Sequence, residues 1–320
     1  MLYKRNLLQQ KEDEPMLKMC LDMKEDIEDQ EARIITFYKV HNADWARPLQ
    51  CRLEGDAATG EGVKRHFLSM MMTKLHKGFK GNFGHGTSTL LFEGQVDHLI
   101  PCTSQVLVQS DLFKMAGRMI GHSFLHGGPP LTGISPAVLH VLLGGSPETA
   151  TLVLEDVADI DIRETIQLLS LADCSKKANG ERGDNELTEH QRGAVNDLAL
   201  SWDLPVLTET NQAWLLQSLL LHAVLRRTSQ QIKQLRKGLQ ESMLWPLLEA
   251  RPDVVDVVFP RQSKAECSAQ MVLNYIIWPG EGDNEDDDGC PVAIKCRIAG
   301  YLRQFVETVT EDKRKQLVKF

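Results

Sequence analysis

The decapeptide Gly55-Asp56-Ala57-Ala58-Thr59-Gly60-Glu61-Gly62-Val63-Lys64 lies between a strand-like and a helix-like pattern, the setting in which backbone N–H groups cradle phosphates. A phosphate loop needs Lys and then Ser or Thr after its second glycine; Glu61 and Gly62 stand there, which sets a carboxylate against the polyanion. The segment therefore reads as a Gly-rich strand-to-helix turn. His122 and His126 have the i, i+4 spacing of zinc ligands, but Ser123 occupies the position of the general-base Glu and no third ligand is evident. Because Gly127-Gly128 ends that helix, both imidazoles are expected to bond its terminal carbonyls and meet the negative end of its dipole. His140 and His222, inside apolar helical patterns, read as satisfied core histidines.

Asn284, Asp286, Asp288 and Gly289 match the early positions of a calcium loop, yet Lys295 stands where the bidentate Glu is required. The cysteines at 20, 51, 102, 174, 267, 290 and 296 are scattered singly, without the paired spacing of a zinc site or the density of a disulfide scaffold. They are expected to be reduced thiols, and no neighbouring pattern marks one as an activated nucleophile. Arg226, Arg227, Lys233, Arg236 and Lys237 form a local cationic cluster, read as a solvated helix face.

The elements that would position these groups belong to a chain of 320 residues, 42% hydrophobic and 25% charged, enough for a sizeable core. The formal charge of −8 gives no basic field to attract nucleic acid or an anionic membrane, and no apolar run is long enough to span a bilayer, so an intracellular protein, cytoplasmic or nuclear, is expected. Residues 1–47 read as a helical leader attached to the core, with Met16, Leu17, Cys20, Met23 and Ile27 in helical spacing. A strand over 49–54 precedes a helix from Glu61 whose buried stripe is Val63, Phe67, Met70, Met71 and Leu75. Two short strands fall between Thr89 and Pro101, and a helix capped by Asp111 runs to His126. Further helices are expected near 135–143, 161–171, 188–201, 210–226 and 229–240, the last with a capping box of Thr228 and Gln231. Ser175 to Asp184 reads as a polar loop, Gly280 to Gly289 as an acidic linker, and 298–309 as a short amphipathic helix. The fold class expected is α+β, mainly α-helical.

Taken in order, these segments resemble HECT-type ubiquitin-protein ligase domains. Cys51-Arg52-Leu53 with Gly55-Asp56 and Gly60 to Phe67 is similar to the opening strand, turn and helix of that family. Leu91-Phe92-Glu93-Gly94, Phe113 to His122, Ser135-Pro136-Ala137, Leu142 to Gly145, Leu154-Glu155-Asp156 with Asp159 and Asp161, Thr208 with Asn211, and Gln230 to Leu239 follow in the family's order. The match is strongest over 49–278 and is nearest to a divergent vertebrate branch.

The resemblance implies a HECT-like N-lobe with a few short strands at 48–279, an acidic hinge at 280–295, and the first helices of a truncated C-lobe at 296–320. It implies ubiquitin-conjugating enzyme and ubiquitin as partners and no cofactor or metal. The resemblance implies a HECT-type ubiquitin-protein transferase acting in protein ubiquitination, incomplete here because the family's thioester-forming Cys is expected beyond Phe320, or alternatively a noncatalytic HECT-like partner-binding module. Cys290 and Cys296 lack the family's small-residue, Thr-Cys surroundings, so the chain as it stands is expected to bind without transferring. The insert that would recruit the conjugating enzyme is short and offers Leu168, Leu169, Leu171, Leu198, Leu200 and Trp202 as an apolar patch, or as the core of a helix pair.

Overall fold

The computed structural model describes residues 2–40, 43–55, 60–80, 88–171, 187–264, 267–276, 278 and 291–317. The Ser175–Asp184 loop, the whole Gly280–Gly289 run with Asn284, Asp286, Asp288 and Gly289, and Cys174 and Cys290 lie outside these residues. The chain forms two compact units, Met1–Gln262 and Ser263–Phe320. It is mainly helical with a few short strands.

In the first unit, α1 (Leu2–Gln10) precedes β1 (Leu17–Asp22), α2 (Ile27–Lys39) and β2 (Leu49–Glu54). The two strands pair in parallel, Leu17 opposite Leu49 and Asp22 opposite Glu54, with α2 as the crossover. The stretch from β1 through Trp45 is thus part of the core, not a helical leader attached to it: Leu21, Ile34, Tyr38 and Trp45 are almost wholly buried, whereas α1 buries no residue. Leu17, Met19 and Leu21 alternate with Lys18 and Cys20, a two-residue period that fits a strand once β2 supplies the partner. The charged residues on either side hide that alternation in the sequence.

Helix α3 (Glu61–Lys77) buries Val63, Phe67, Met71 and Leu75, as its spacing predicts, and leaves Met70, the fifth residue of the expected stripe, half-buried. Gly55 (φ +89°) and Gly60 (φ +90°) hold the left-handed backbone that its entry turn needs. Gly62 lies inside the helix with no heavy atom within 4 Å of where a Cβ would sit, so it relieves nothing.

Strands β3 (Phe92–Glu93) and β4 (Ile100–Pro101) pair antiparallel, followed by α4 (Gln105–Gln109) and α5 (Leu112–Leu125). Helix α5 is the centre of the unit, with Leu112, Phe113, Met115, Ala116, Met119 and Ile120 all buried. Asp111 precedes it in a left-handed conformation and makes no side-chain cap, contrary to the N-cap reading; its carboxylate instead accepts from the Gln234 amide at 3.3 Å. Helices α6 (Pro136–Leu142), α7 (Ile160–Leu171), α8 (Glu189–Ser201), α9 (Gln212–Leu221) and α10 (Ser229–Glu241) follow, and α9 ends in a π-helical turn, His222–Arg226. The capping box forms not at Thr228–Gln231 but at Thr188, whose hydroxyl accepts from Gln191 N–H at 3.2 Å while the Gln191 side chain accepts from Thr188 N–H at 2.9 Å. Thr228 instead donates to the Val224 carbonyl at 2.6 Å, closing the π turn, and Gln231 donates across the core to Cys102 at 3.0 Å.

Helices α5 and α10 cross at glycine. A Cβ on Gly117 would stand 2.2 Å from the Leu235 carbonyl oxygen, and one on Gly238 would stand 2.0 Å from that of Lys114. The crossing is flanked by Glu241, which takes Arg118 Nε at 2.6 Å and Lys114 Nζ at 2.8 Å. Buried Arg118 also donates to the Tyr38 carbonyl at 2.5 Å, tying α5 to α2. Helices α11 (Trp245–Ala250) and α12 (Val255–Val258) complete the unit.

The second unit comprises α13 (Ala269–Tyr275), α14 (Val292–Thr308) and α15 (Glu311–Leu317) around Cys267, Val272, Leu273 and Val306. No helix among the described residues is long and apolar enough to cross a membrane.

Candidate functional site

Helices α7, α8 and α9 carry the candidate partner-binding residues, and polar side chains fix how they meet. Gln212 Nε2 donates to the Leu169 carbonyl at 2.6 Å, seating the first turn of α9 against the last turn of α7. Asn196 Oδ1 accepts from Leu207 N–H at 2.8 Å, Asn211 Oδ1 accepts from Thr208 N–H at 2.7 Å, and Asn211 Nδ2 donates to the Val206 carbonyl at 2.9 Å. These bonds fold the link between α8 and α9 back on itself. At its start, Trp202 stacks on His222 with ring centroids 4.4 Å apart, and the Arg227 guanidinium lies 5.8 Å from the indole.

The six candidates are therefore not brought into one groove. Leu169 is buried, and Leu168, Leu198 and Trp202 pack partly against the core, so these four serve the helix pair. Leu171 and Leu200 are 63% and 58% exposed, but they sit near opposite ends of α9, a span of roughly 15 Å at helical rise. Two exposed side chains escape the sequence reading. Trp214, 53% exposed, lies two residues beyond the Gln212 anchor, and Val206 is exposed on the link. The helix QAWLLQSLLL is apolar nearly all round, so its pattern marks no outward face. Leu171 and Trp214 are each exposed within two residues of the bond that joins α7 to α9.

The two histidines of α5 do not bond its terminal carbonyls. His122 is fully buried with Nδ1 2.6 Å from the Tyr38 hydroxyl, and His126 Nε2 meets the Trp45 carbonyl at 3.0 Å. Their rings touch edge to face, 4.7 Å between centroids, beneath Tyr38 and Trp45. Burial drives both pKa values down, that of His126 to about 4, with Lys64 adding repulsion in each case. No group of three metal-ligating side chains occurs among the described residues. His140 bonds the Thr149 hydroxyl at 2.9 Å. The Nδ1 of His222 has no hydrogen-bond partner among the described residues, and its ring stacks on Trp202.

The cationic cluster is partly spent on structure. Arg236 Nε donates to the Leu142 carbonyl at 2.7 Å at the end of α6 and covers Trp245 at 5.6 Å, leaving Arg226, Lys233 and Lys237 facing solvent. Asp156, of the Leu154-Glu155-Asp156 segment, is buried and joins His98 Nδ1 at 2.8 Å to Val153 N–H at 3.1 Å.

Among the described thiols, Cys20, Cys51 and Cys102 have the wrong surroundings for a nucleophile. The Cys51 thiol is pushed up to about 12 by burial, and burial likewise raises Cys102. The Cys20 thiol donates to Glu54 at 3.2 Å, which holds its proton on. Cys267 is buried; Cys296 is exposed on α14.

No protein-family model matches the chain. Over 215 residues, 66% of its length, it is 26% identical to the G2/M phase-specific E3 ubiquitin-protein ligase of Macaca fascicularis, and the same figures hold for that of Homo sapiens. It is 27% identical over 224 residues, 69% of its length, to the ligase of the same name from Gallus gallus. The matched region is 27% of the length of each of these curated relatives, so the chain corresponds to about a quarter of them. The chain is a distant, partial homologue of E3 ubiquitin-protein ligases.

Proposed function

We propose that this chain is a HECT-type N-lobe-like module of protein ubiquitination that docks a ubiquitin-conjugating enzyme and carries out no acyl transfer itself. In this reading the N-lobe takes in the first unit, Met1–Gln262, with the strand pair that precedes and follows residue 48, while the hinge at 280–295 and the start of a C-lobe at 296–320 fall within Ser263–Phe320, and the protein works inside the cell. The observation that carries the proposal is the similarity to E3 ubiquitin-protein ligases over two thirds of the chain, together with the ordered HECT-like motifs. The helical insert before Thr208, which in the HECT reading receives the enzyme, presents Leu171 and Leu200 to solvent, and Trp214 is exposed just beyond it on α9, two residues from the Gln212 anchor to α7. Transfer would need a thiolate to accept ubiquitin from the enzyme's thioester, and Cys20, Cys51 and Cys102 are all held in the thiol form.

The test is a binding panel of ubiquitin-conjugating enzymes against the full chain, read by interferometry. At least one enzyme should bind, and Trp214→Asp should weaken it by roughly 30-fold, the ~2 kcal/mol of a central Trp anchor, with no change in the melt. Failure of the whole panel, or an unaffected Trp214→Asp, removes the recruitment reading. In the same mixture, ubiquitin-charged enzyme should give no reductant-sensitive adduct with the chain. An adduct lost on Cys296→Ala would make that thiol the acceptor and overturn the no-transfer reading.

A further inference from the structure

A cavity of about 210 Å³ opens between β3, the start of α7 and the π turn after α9. Its floor is apolar, including buried Val157 and Ala223, and its walls carry Glu93, Asp159, Thr103 and Arg227. The widened turn His222–Arg226 sets Ala223 and the following Arg227 toward the cavity; π turns of this kind are frequent where a helix lines a functional site.

The charges do not balance. Two carboxylates face one guanidinium, and neither Glu93 nor Asp159 has a cation within 4 Å among the described residues. Asp159 Oδ1 accepts from Ile162 N–H at 3.1 Å at the start of α7, which fixes that carboxylate at the rim. Arg227 is drawn toward the face of Trp202, which fixes it on the opposite side. Burial pushes the Glu93 carboxyl up, and Asp159 adds to this while Arg227 opposes it. A desolvated carboxylate over an apolar floor is relieved by a cation that brings its own aliphatic stem, which is the build of a lysine or arginine side chain.

We infer that this cavity is an insertion pocket for a lysine or arginine side chain presented on a peptide segment of a protein partner, its head between Glu93 and Asp159 and its stem on Val157 and Ala223. Arg227 and the Thr103 hydroxyl at the rim are donors for the carbonyls of that peptide. The pocket is independent of conjugating-enzyme docking at Leu171 and Trp214, so either reading can fail alone.

The experiment titrates the full chain with acetyl-Gly-Arg-Gly-amide, its Lys and norleucine counterparts, and free agmatine, following the Ala223, Val157 and Thr103 methyl resonances. The Arg and Lys peptides should shift these signals saturably, with the norleucine peptide at least tenfold weaker. Glu93→Gln should weaken the basic peptides tenfold or more, whereas Glu155→Gln, on the exposed turn nearby, should leave them unchanged. Should Glu93→Gln not fold, Asp159→Asn carries the same expectation. Equal binding of the norleucine peptide, binding unaffected by both substitutions, or binding of agmatine but of no blocked peptide would each overturn the proposal.

Discussion

Gly117→Val should be among the most destabilising single substitutions in the chain. At the α5–α10 crossing a Cβ on Gly117 meets the Leu235 carbonyl oxygen at 2.2 Å and the Gly238 Cα at 2.9 Å, and these are backbone atoms that cannot swing aside as a side-chain tip can. The helices would have to part, separating Gly117 and Lys114 from the Leu235–Leu239 backbone and stretching the Lys114–Glu241 and Arg118–Glu241 bonds. Overpacking in a well-filled core costs about 1–3 kcal/mol, and a clash against rigid backbone belongs at or above the top of that range. In a unit of this size ~3 kcal/mol corresponds to a melting point lower by roughly 6–12 °C. Thermal unfolding by circular dichroism measures it. Gly62→Ala, at a helical glycine with open space around it, is the control and should leave the melt unchanged or slightly raised. A Gly117→Val chain melting within ~2 °C of the parent would show that the crossing can relax, against the packing density expected of such cores.

Much of this framework is legible in the residues because it depends on local pattern. The stripe Val63, Phe67, Met71, Leu75 announces α3, and Gly60 with Glu61 announces its start. What is not legible depends on distant partners. Strand β1 exists because β2 lies beside it, and nothing within residues 17–22 tells that alternation from a sparse helical one. Asp111 has the right side chain for an N-cap, but its left-handed backbone turns the carboxylate away toward α10. At the candidate site, Trp202 reads in the sequence either as part of an apolar patch or as core of a helix pair, and the π turn, by setting His222 and Arg227 against its ring, makes it structural. Trp214 is lost in an apolar run for the opposite reason: only the bonds of Gln212 and Asn211 settle which side of α9 faces out.

The histidine pair at the end of α5 should make the fold sensitive to mild acid, and here the burial of Tyr38 and Trp45 has its largest consequence. Had His122 and His126 met the negative end of the helix dipole, their protonated forms would have been stabilised. Instead Tyr38 and Trp45 cover both rings, the Tyr38 hydroxyl and Trp45 carbonyl take one nitrogen from each, and Lys64 repels a positive charge on either. The folded pKa of His126, about 4, lies below the ordinary 6.5 of the unfolded chain. Above pH 6.5 neither state takes the proton, and no stability is lost. As pH falls from 6.5 toward 4 the unfolded chain binds a proton that the folded site refuses, so stability drops through that window. Between pH 7 and pH 5 His126 alone should remove about 2 kcal/mol, and His122 works in the same direction. Glu93, whose carboxyl is raised by burial, works in the opposite sense, so the contribution of His126 must be isolated by substitution. Urea unfolding of the parent and of His126→Gln at both pH values does this. The variant should be weaker at pH 7, having lost a packed ring, and should lose about 2 kcal/mol less than the parent on going to pH 5. Equal losses in the two proteins would mean that the imidazole gains its proton within the folded chain, and with it that Tyr38 and Trp45 open readily enough to let water reach α5.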